Sequence, residues 1–258
     1  MPTSREEVPH NRLKERLLAE QGPQLGLWLS SGSSLMTEIA AGSRFDWGLL
    51  DGEHGPNHIA SLADQLRAIG QYAMTPVIRP AETNRVLIKQ VLDAGAQCLL
   101  LPMIDTPEDA AAAVAATRYP PRGARGVGAS IARAGHWGRI RGYMEEAEAQ
   151  LCVILQVETR EGLSHLDEIL QVEGVDGVFI GPADLGASLG NPPQDELDGI
   201  VCECLGRIRD AGLVAGSIAL EESVAREYVE AGANLLAVAS DTDLFVRALD
   251  GCLAGFGR

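Results

Sequence analysis

The sequence predicts a single-domain (β/α)8 barrel spanning residues 1–258. Three observations predict it. The length of 258 residues suits one α/β barrel. Short apolar runs recur along the chain and read as continuous stretches, which is how parallel strands covered on both faces look. Segments with helical periodicity separate those runs, and strictly alternating β and α units close into a parallel barrel.

The elements follow in order. Residues 1–24 read as an N-terminal extension with a charged helix. Met1–Glu20 carries Arg5, Glu6, Glu7, Arg12, Lys14, Glu15 and Arg16, which leaves no room for the apolar heart of a signal peptide. The first two strands are expected at Leu25–Leu29 and Phe45–Asp51. A helix over Ser61–Gln71 places Leu62, Leu66 and Ile69 on one face. Strands at Pro76–Pro80 and Gln97–Pro102 flank a helix over Arg85–Ala94. Thr106-Pro107-Glu108-Asp109 opens the next helix with a capping hydroxyl, a first-turn Pro and two acids, and Ala110–Ala116 continues it. Residues Tyr119–Glu146 are too long for an ordinary connection and are expected to form an excursion near the active-site mouth. Strands five to eight are expected at Cys152–Glu158, Asp176–Gly181, Leu213–Ser217 and Leu235–Ala239. Ala94-Gly95-Ala96, Asp210-Ala211-Gly212 and Ala231-Gly232-Ala233 end helices just before strands. The last segment carries a broad apolar stripe of Leu244, Phe245, Ala248, Leu249, Cys252, Leu253 and Phe256, fit to dock on its own barrel or on a partner.

Composition narrows the function. The net charge of −15 and pI near 4.7 repel phosphate backbones and anionic lipid, so nucleic-acid and membrane partners are not expected. No apolar run approaches the ~20 residues that span a bilayer. Cys98, Cys152, Cys202, Cys204 and Cys252 are odd in number and form no CxxC pair, which fits reduced thiols in a cytoplasmic protein.

Active sites of parallel barrels form at the C-terminal ends of the strands. There the sequence offers Asp51-Gly52-Glu53-His54-Gly55-Pro56, Ile78-Arg79-Pro80, Gln156-Val157-Glu158 and Gly181-Pro182-Ala183-Asp184. Glu158 and Asp184 follow adjacent strands and supply the hard oxygens that suit Mg2+, Mn2+ or Co2+; no organic cofactor is expected. Read alone, Glu158 is a solvated acid and Asp184 a helix cap; Gln156 beside them favours a site. His54 and His58 are four apart, but Pro56 keeps them off a shared helical face, which disfavours a zinc pair and places His58 inside the following helix. His54, flanked by Asp51 and Glu53, suits acid–base work near neutrality. Arg79 on an apolar strand pairs with Asp51 or Asp93, or binds an anion. The amides of Ala183 and Asp184, at a helix start opened by Gly181-Pro182, can hold a carboxylate. Trp28 and Ile218 are expected to line the substrate pocket.

These segments resemble the HpcH/HpaI class II pyruvate aldolases, whose type member is 4-hydroxy-2-oxoheptane-1,7-dioate aldolase. The resemblance rests on Phe45–Pro56, Tyr119–Gly128, Gln156–Thr159 and Glu173–Leu185 and extends from Leu25 to the C-terminus. It implies a metal on Glu158 and Asp184, and His54 as acid/base supported by Asp51 and Asp93. It implies Arg79 on the 2-oxo group, Gln156 beside metal and pyruvate, and the Ala183 and Asp184 amides on the carboxylate. It further implies a role in aromatic catabolism and a homo-hexamer, a trimer of dimers, with the last helix exchanged. The loop Asn191–Asp195 is shorter than in close relatives, and Ser217-Ile218 is less bulky, so the aldehyde end of the pocket is reshaped.

The expected reaction is reversible cleavage of a 4-hydroxy-2-oxo acid to pyruvate or hydroxypyruvate and an aldehyde. The enolate needs an electrophile, either a lysine Schiff base or a metal. Lys14 and Lys89 are the only lysines and neither lies on a strand, so a metal is expected. Two other readings are a CoA-thioester lyase of the citrate-lyase β type, which needs a basic groove, and a non-catalytic barrel, which predicts a missing site residue.

Overall fold

The protein was analysed as a computed structural model, which describes residues 6–256; Met1–Arg5 of the expected N-terminal extension and the last two residues lie outside them. The eight strands β1 (Gln24–Leu29), β2 (Trp47–Asp51), β3 (Thr75–Arg79), β4 (Cys98–Leu101), β5 (Cys152–Val157), β6 (Gly177–Ile180), β7 (Val214–Ile218) and β8 (Leu235–Ser240) form a closed parallel barrel in sequence order. The fold is the (β/α)8 barrel that the apolar runs predict.

Each strand shows one face to the barrel interior and one to the helices, because side chains alternate along a strand. Trp28, Trp47, Leu49, Val77, Cys98, Leu100, Cys152, Ile154, Phe179, Val214, Leu235 and Ala237 fill the interior. Helix α1 (Arg12–Leu18) plugs its N-terminal end with Leu13 and Leu17. The larger core lies between barrel and helices, where Leu50, Ile78, Leu99, Leu155, Val178 and Leu236 meet the covering layer.

That layer comprises α2 (Ser34–Ala41), α3 (Ile59–Ile69), α4 (Arg85–Asp93), α5 (Pro107–Thr117), the short α6 (Tyr143–Glu146), α7 (Arg160–Ser164) and α8 (Leu166–Ile169), then α9 (Pro182–Leu189), α10 (Gln194–Asp210), α11 (Glu222–Glu230) and α12 (Asp241–Ala254). The capping signals hold. Thr106 caps α5 in a reciprocal box with Asp109. Gly95 and Gly232 take positive φ of 103° and 111° after α4 and α11, a conformation that side chains with a Cβ resist.

Two expectations change. His58 is not inside α3 but caps it, its Nδ1 accepting from the Ser61 amide at 3.0 Å. The excursion after Thr117 leaves α5 at the N-terminal end of the barrel and re-enters at Cys152, the start of β5. It therefore packs beneath the barrel, away from the mouth of its own active site. Ile140, Tyr143 and Ala147 bury there with Ala129 and Ala134, and Arg133 donates to the Ala94 carbonyl at 2.9 Å. Its length reflects a buried subcluster of its own, a property that loop length alone does not locate.

Helix α12 is the other departure from a self-contained barrel. Apart from Asp241 it buries nothing, and Leu244, Phe245, Val246, Leu249, Leu253 and Phe256 are exposed. Beside it, between the outer faces of β1 and β8 and α11, a groove of about 580 Å³ is lined by Leu25, Ala219, Leu220, Val229, Leu236 and Val238.

Candidate active site

The interior parity of each strand selects the site. Continuing the inward series two residues at a time leads from Leu49 to Asp51, from Val77 to Arg79, and from Ile154 to Gln156 and Glu158. The same alternation carries Phe179 to Gly181 and brings Ile218 against the interior cluster. These residues form the top layer of the barrel interior, at the C-terminal rim where the loops end the apolar stack.

Asp51 organises this layer. Its Oδ1 accepts from Arg79 Nε at 3.0 Å and from the amides of Glu53 and His54 at 3.0 and 3.3 Å. Its Oδ2 accepts from Arg79 Nη2 at 2.8 Å and Trp28 Nε1 at 3.1 Å. Burial alone would raise this carboxyl, but the hydrogen bonds and charge of Arg79 outweigh it and hold it below the ordinary range. With five donors on its two oxygens, Asp51 is a scaffold for its neighbours. Arg79 is buried with it, and its guanidinium lies 4.8 Å from the Trp28 ring centre. Of the two acids open to Arg79 from the sequence, the structure selects Asp51.

The acid cluster lies across the rim. Glu158 is buried; its Oε1 accepts from the Met103 amide at 3.0 Å, and its Oε2 accepts from the Gln156 side-chain amide. Burial pushes its carboxyl up to about 7, and the charges of Glu53 and Asp184 add to the rise. The Oε1 of Gln156 is buried without a hydrogen-bond partner. Asp184 is the third residue of α9, exposed, with Gly181 as the N-cap, so it is not the helix cap of the alternative reading. The amide of Leu185 is bonded to the Gly181 carbonyl, so the preceding amides of Ala183 and Asp184 lie in the first turn without intrahelical partners. Pro182, half-buried, opens that turn. Gly181 is needed for close approach: a Cβ there would stand 2.7 Å from Glu158 Oε2 and 3.1 Å from Gln156 Nε2.

His54 reaches over the rim, largely exposed, with its Nε2 3.9 Å from Glu53 Oε2. Trp28 backs the pocket, tilted against Phe179 with ring centres 5.9 Å apart. The one expected site residue that the chain does not bring here is Asp93. It is the last residue of α4, just before β4 begins, and so lies at the N-terminal end, paired with Arg125 at 2.9 Å. Helical connections run antiparallel to the strands, and nine residues of helix carry Asp93 from one rim to the other.

Two contributors escaped sequence reasoning. Met103 has a positive φ of 56° that turns its amide toward Glu158, a backbone conformation no side-chain pattern announces. Glu53 reads as a flank of His54 but also binds Arg79, with Nη1 2.8 Å from its Oε2.

Donor chemistry tests whether the rim fits a divalent cation. Four carboxylates, Asp51, Glu53, Glu158 and Asp184, face one guanidinium, and Glu53 as well as Glu158 is pushed up, burial being the main cause in both. Such a surplus of hard, partly desolvated oxygen donors fits a hard cation. Among the described residues no three His, Cys, Asp or Glu side chains gather tightly enough to hold a metal by themselves. A divalent cation here would therefore rest on two carboxylates, with its other positions open to water and substrate oxygens.

The chain, a parallel barrel without a lysine on any strand, is a carbon–carbon lyase of the aldolase class by its family and named relatives. The HpcH/HpaI aldolase/citrate lyase family model matches residues 24–248, and the chain belongs to that family. It is 55% identical over 249 residues to the 2-keto-3-deoxy-L-rhamnonate aldolase of Salmonella typhi, covering 95% of this chain and 93% of that one. Its fold superposes on an HpcH/HpaI aldolase/citrate lyase family protein from Burkholderia cenocepacia J2315 with a TM-score of 0.92 and 39% identity, over 96% of this chain and all (100%) of the other. The citrate synthase SbnG is more distant, at 28% identity and a TM-score of 0.83, over 95% of this chain and 97% of that one.

Proposed function

We propose that the protein is a divalent-metal-dependent class II aldolase acting on a 3-deoxy-2-oxo sugar acid of the rhamnonate type. The observation that carries this reading is the buried Gln156–Glu158 pair beside Asp184, facing Arg79 and His54 across one pocket. The similarity to 2-keto-3-deoxy-L-rhamnonate aldolases directs the substrate toward a six-carbon deoxy sugar acid and away from the aromatic-derived diacid of the family's type member. Cleavage between C3 and C4 of that acid releases pyruvate and lactaldehyde.

A divalent cation on Glu158 and Asp184 would supply Lewis acidity toward the 2-oxo group. The chain does the rest. The first-turn amides of Ala183 and Asp184 bind the substrate carboxylate. Arg79 directs the N–H groups that its acids leave free at the oxygen where enolate charge develops. His54 takes the 4-hydroxyl proton as the C3–C4 bond breaks and its electron pair passes into the enolate; a proton returned to C3, from His54 or through water, then gives pyruvate, and the steps reverse in condensation. Trp28 and Ile218 wall the pocket. Neither lysine can replace this chemistry: Lys14 pairs with Asp176 at 2.9 Å beneath the barrel, and Lys89 lies on α4.

The same reading includes a homo-oligomer in which α12 of one chain fills the groove beside β1 and β8 of another; the apolar faces left open on both elements support it. Asp93 then serves His54 only from a second chain, because it stands at the far end of its own barrel.

The test is pyruvate condensation with a panel of aldehydes including both lactaldehyde enantiomers, with Mg2+, Mn2+ or Co2+ and with EDTA. Metal-restored turnover with lactaldehyde is expected. Turnover that survives complete chelation overturns the mechanism, and heat of coenzyme A binding without aldol turnover favours the thioester-lyase reading instead.

A further inference from the structure

Glu53 has a place that neutralising Arg79 does not explain. Asp51 already meets Arg79 through two hydrogen bonds of 3.0 and 2.8 Å, which satisfies the buried guanidinium's charge. Glu53 adds a second carboxylate, 2.8 Å from Nη1, with its side chain only 17% exposed. It does so among like charges, with Asp51 two residues away and Asp184 and Glu158 across the rim. A carboxylate desolvated among three others opposes folding, so it is expected where the site uses it.

The donor count shows the use. A guanidinium has five N–H donors. Asp51 takes two of them in hydrogen bonds, and Glu53 faces Nη1 as an ion pair at 2.8 Å, so the N–H groups left for a ligand are those of Nη1 and the second of Nη2. Asp51 grips the Nε–Nη2 edge of the guanidinium, and without Glu53 the opposite nitrogen Nη1 has no charged partner among the described residues. The same Glu53 oxygen is 3.9 Å from His54 Nε2, so one carboxylate ties the electrophilic arginine and the acid/base histidine to a common reference.

We propose that Glu53 is a positioning residue that acts through Arg79, holding Nη1 by charge so that the N–H donors Asp51 leaves free aim at the substrate's 2-oxo oxygen. This inference rests on the aldolase reading for the identity of that oxygen. The test is therefore built on binding of oxalate, a planar dianion shaped like pyruvate enolate, to the Mn2+-loaded protein by calorimetry. Glu53→Ala is expected to raise the oxalate Kd about tenfold, and Glu53→Gln, which keeps an oxygen beside Nη1 but not the charge, about threefold. In an Arg79→Ala background the same Glu53 substitutions are expected to change the Kd by less than about twofold, since a residue acting through Arg79 has nothing left to position. Wild-type melting behaviour separates this from a folding defect; should Glu53→Ala not fold, the Glu53→Gln cycle decides. Equal Kd losses with and without Arg79, no loss in either, or no oxalate binding by the wild type overturns the proposal. Aldol turnover of the wild type is scored separately, so a failure of the substrate assignment shows there and leaves the cycle readable.

Discussion

At the scale of single residues, the proposed site divides into groups placed to touch substrate and groups that hold them. His54 is exposed and makes few contacts, so His54→Ala is expected to leave the melting temperature nearly unchanged and to lower kcat about a hundredfold or more. Steady-state turnover beside a thermal melt checks both parts, and near-normal turnover removes His54 from the mechanism. Glu158 carries a pH dependence whose sign follows from its environment. Burial lifts its carboxyl from 4.5 to about 7, so between those values the native state keeps a proton that the unfolded chain has lost. Its contribution therefore favours folding at low pH and is lost as pH rises through that window. Calorimetric melts of the metal-free protein at pH 5 and pH 7.5 are expected to show the loss, and Glu158→Gln to flatten it. Cation affinity is expected to rise over the same window, because the ligand must be ionised.

At the scale of elements, the junction of β6 and α9 is the most constrained part of the rim. Gly181 ends the inward series of β6, caps α9 and leaves room for the Glu158 carboxylate. Its φ of −89° is open to any residue, so Gly181→Ala tests space rather than backbone freedom. The added Cβ displaces Glu158, and Mn2+ affinity measured by calorimetry is expected to fall about tenfold or more with the melting temperature held within a few degrees. Unchanged affinity would place the metal away from Glu158. The apolar runs, the caps of α5 and the glycines after α4 and α11 are legible in sequence because each rests on neighbours along the chain. Such reasoning does not place the excursion, because its partners Asp93 and Ala94 lie at the end of α4, more than thirty residues back along the chain.

At the scale of the whole molecule, α12 and the groove beside β1 and β8 are two apolar faces of one chain that do not meet. Leu249→Asp is expected to leave the barrel folded and to shift the protein to a smaller species in light scattering; an unchanged mass overturns the exchanged-helix reading. The position of Asp93 makes a second demand on assembly. Oligomers reconstituted from a mixture of His54→Ala and Asp93→Asn subunits are expected to regain part of the activity that each lacks alone, and no recovery removes Asp93 from the site.

Sequence alone established the barrel, the rim residues Asp51, His54, Arg79, Gln156, Glu158 and Asp184, and the absence of a strand lysine. These follow from period-two alternation and from the rule that parallel strands present their C-terminal ends to a common face, both local in the chain. Tertiary structure decided which acid holds Arg79, that Asp51 is saturated while Gln156 keeps a free oxygen, that Met103 and Glu53 join the rim, and that Asp93 does not. Those outcomes depend on distances between strands and loops remote in sequence. The pair that predicted the site, Glu158 and Asp184, is thereby seen as one side of a pocket whose other side, Arg79 with Asp51 and Glu53, is set by contacts across the barrel.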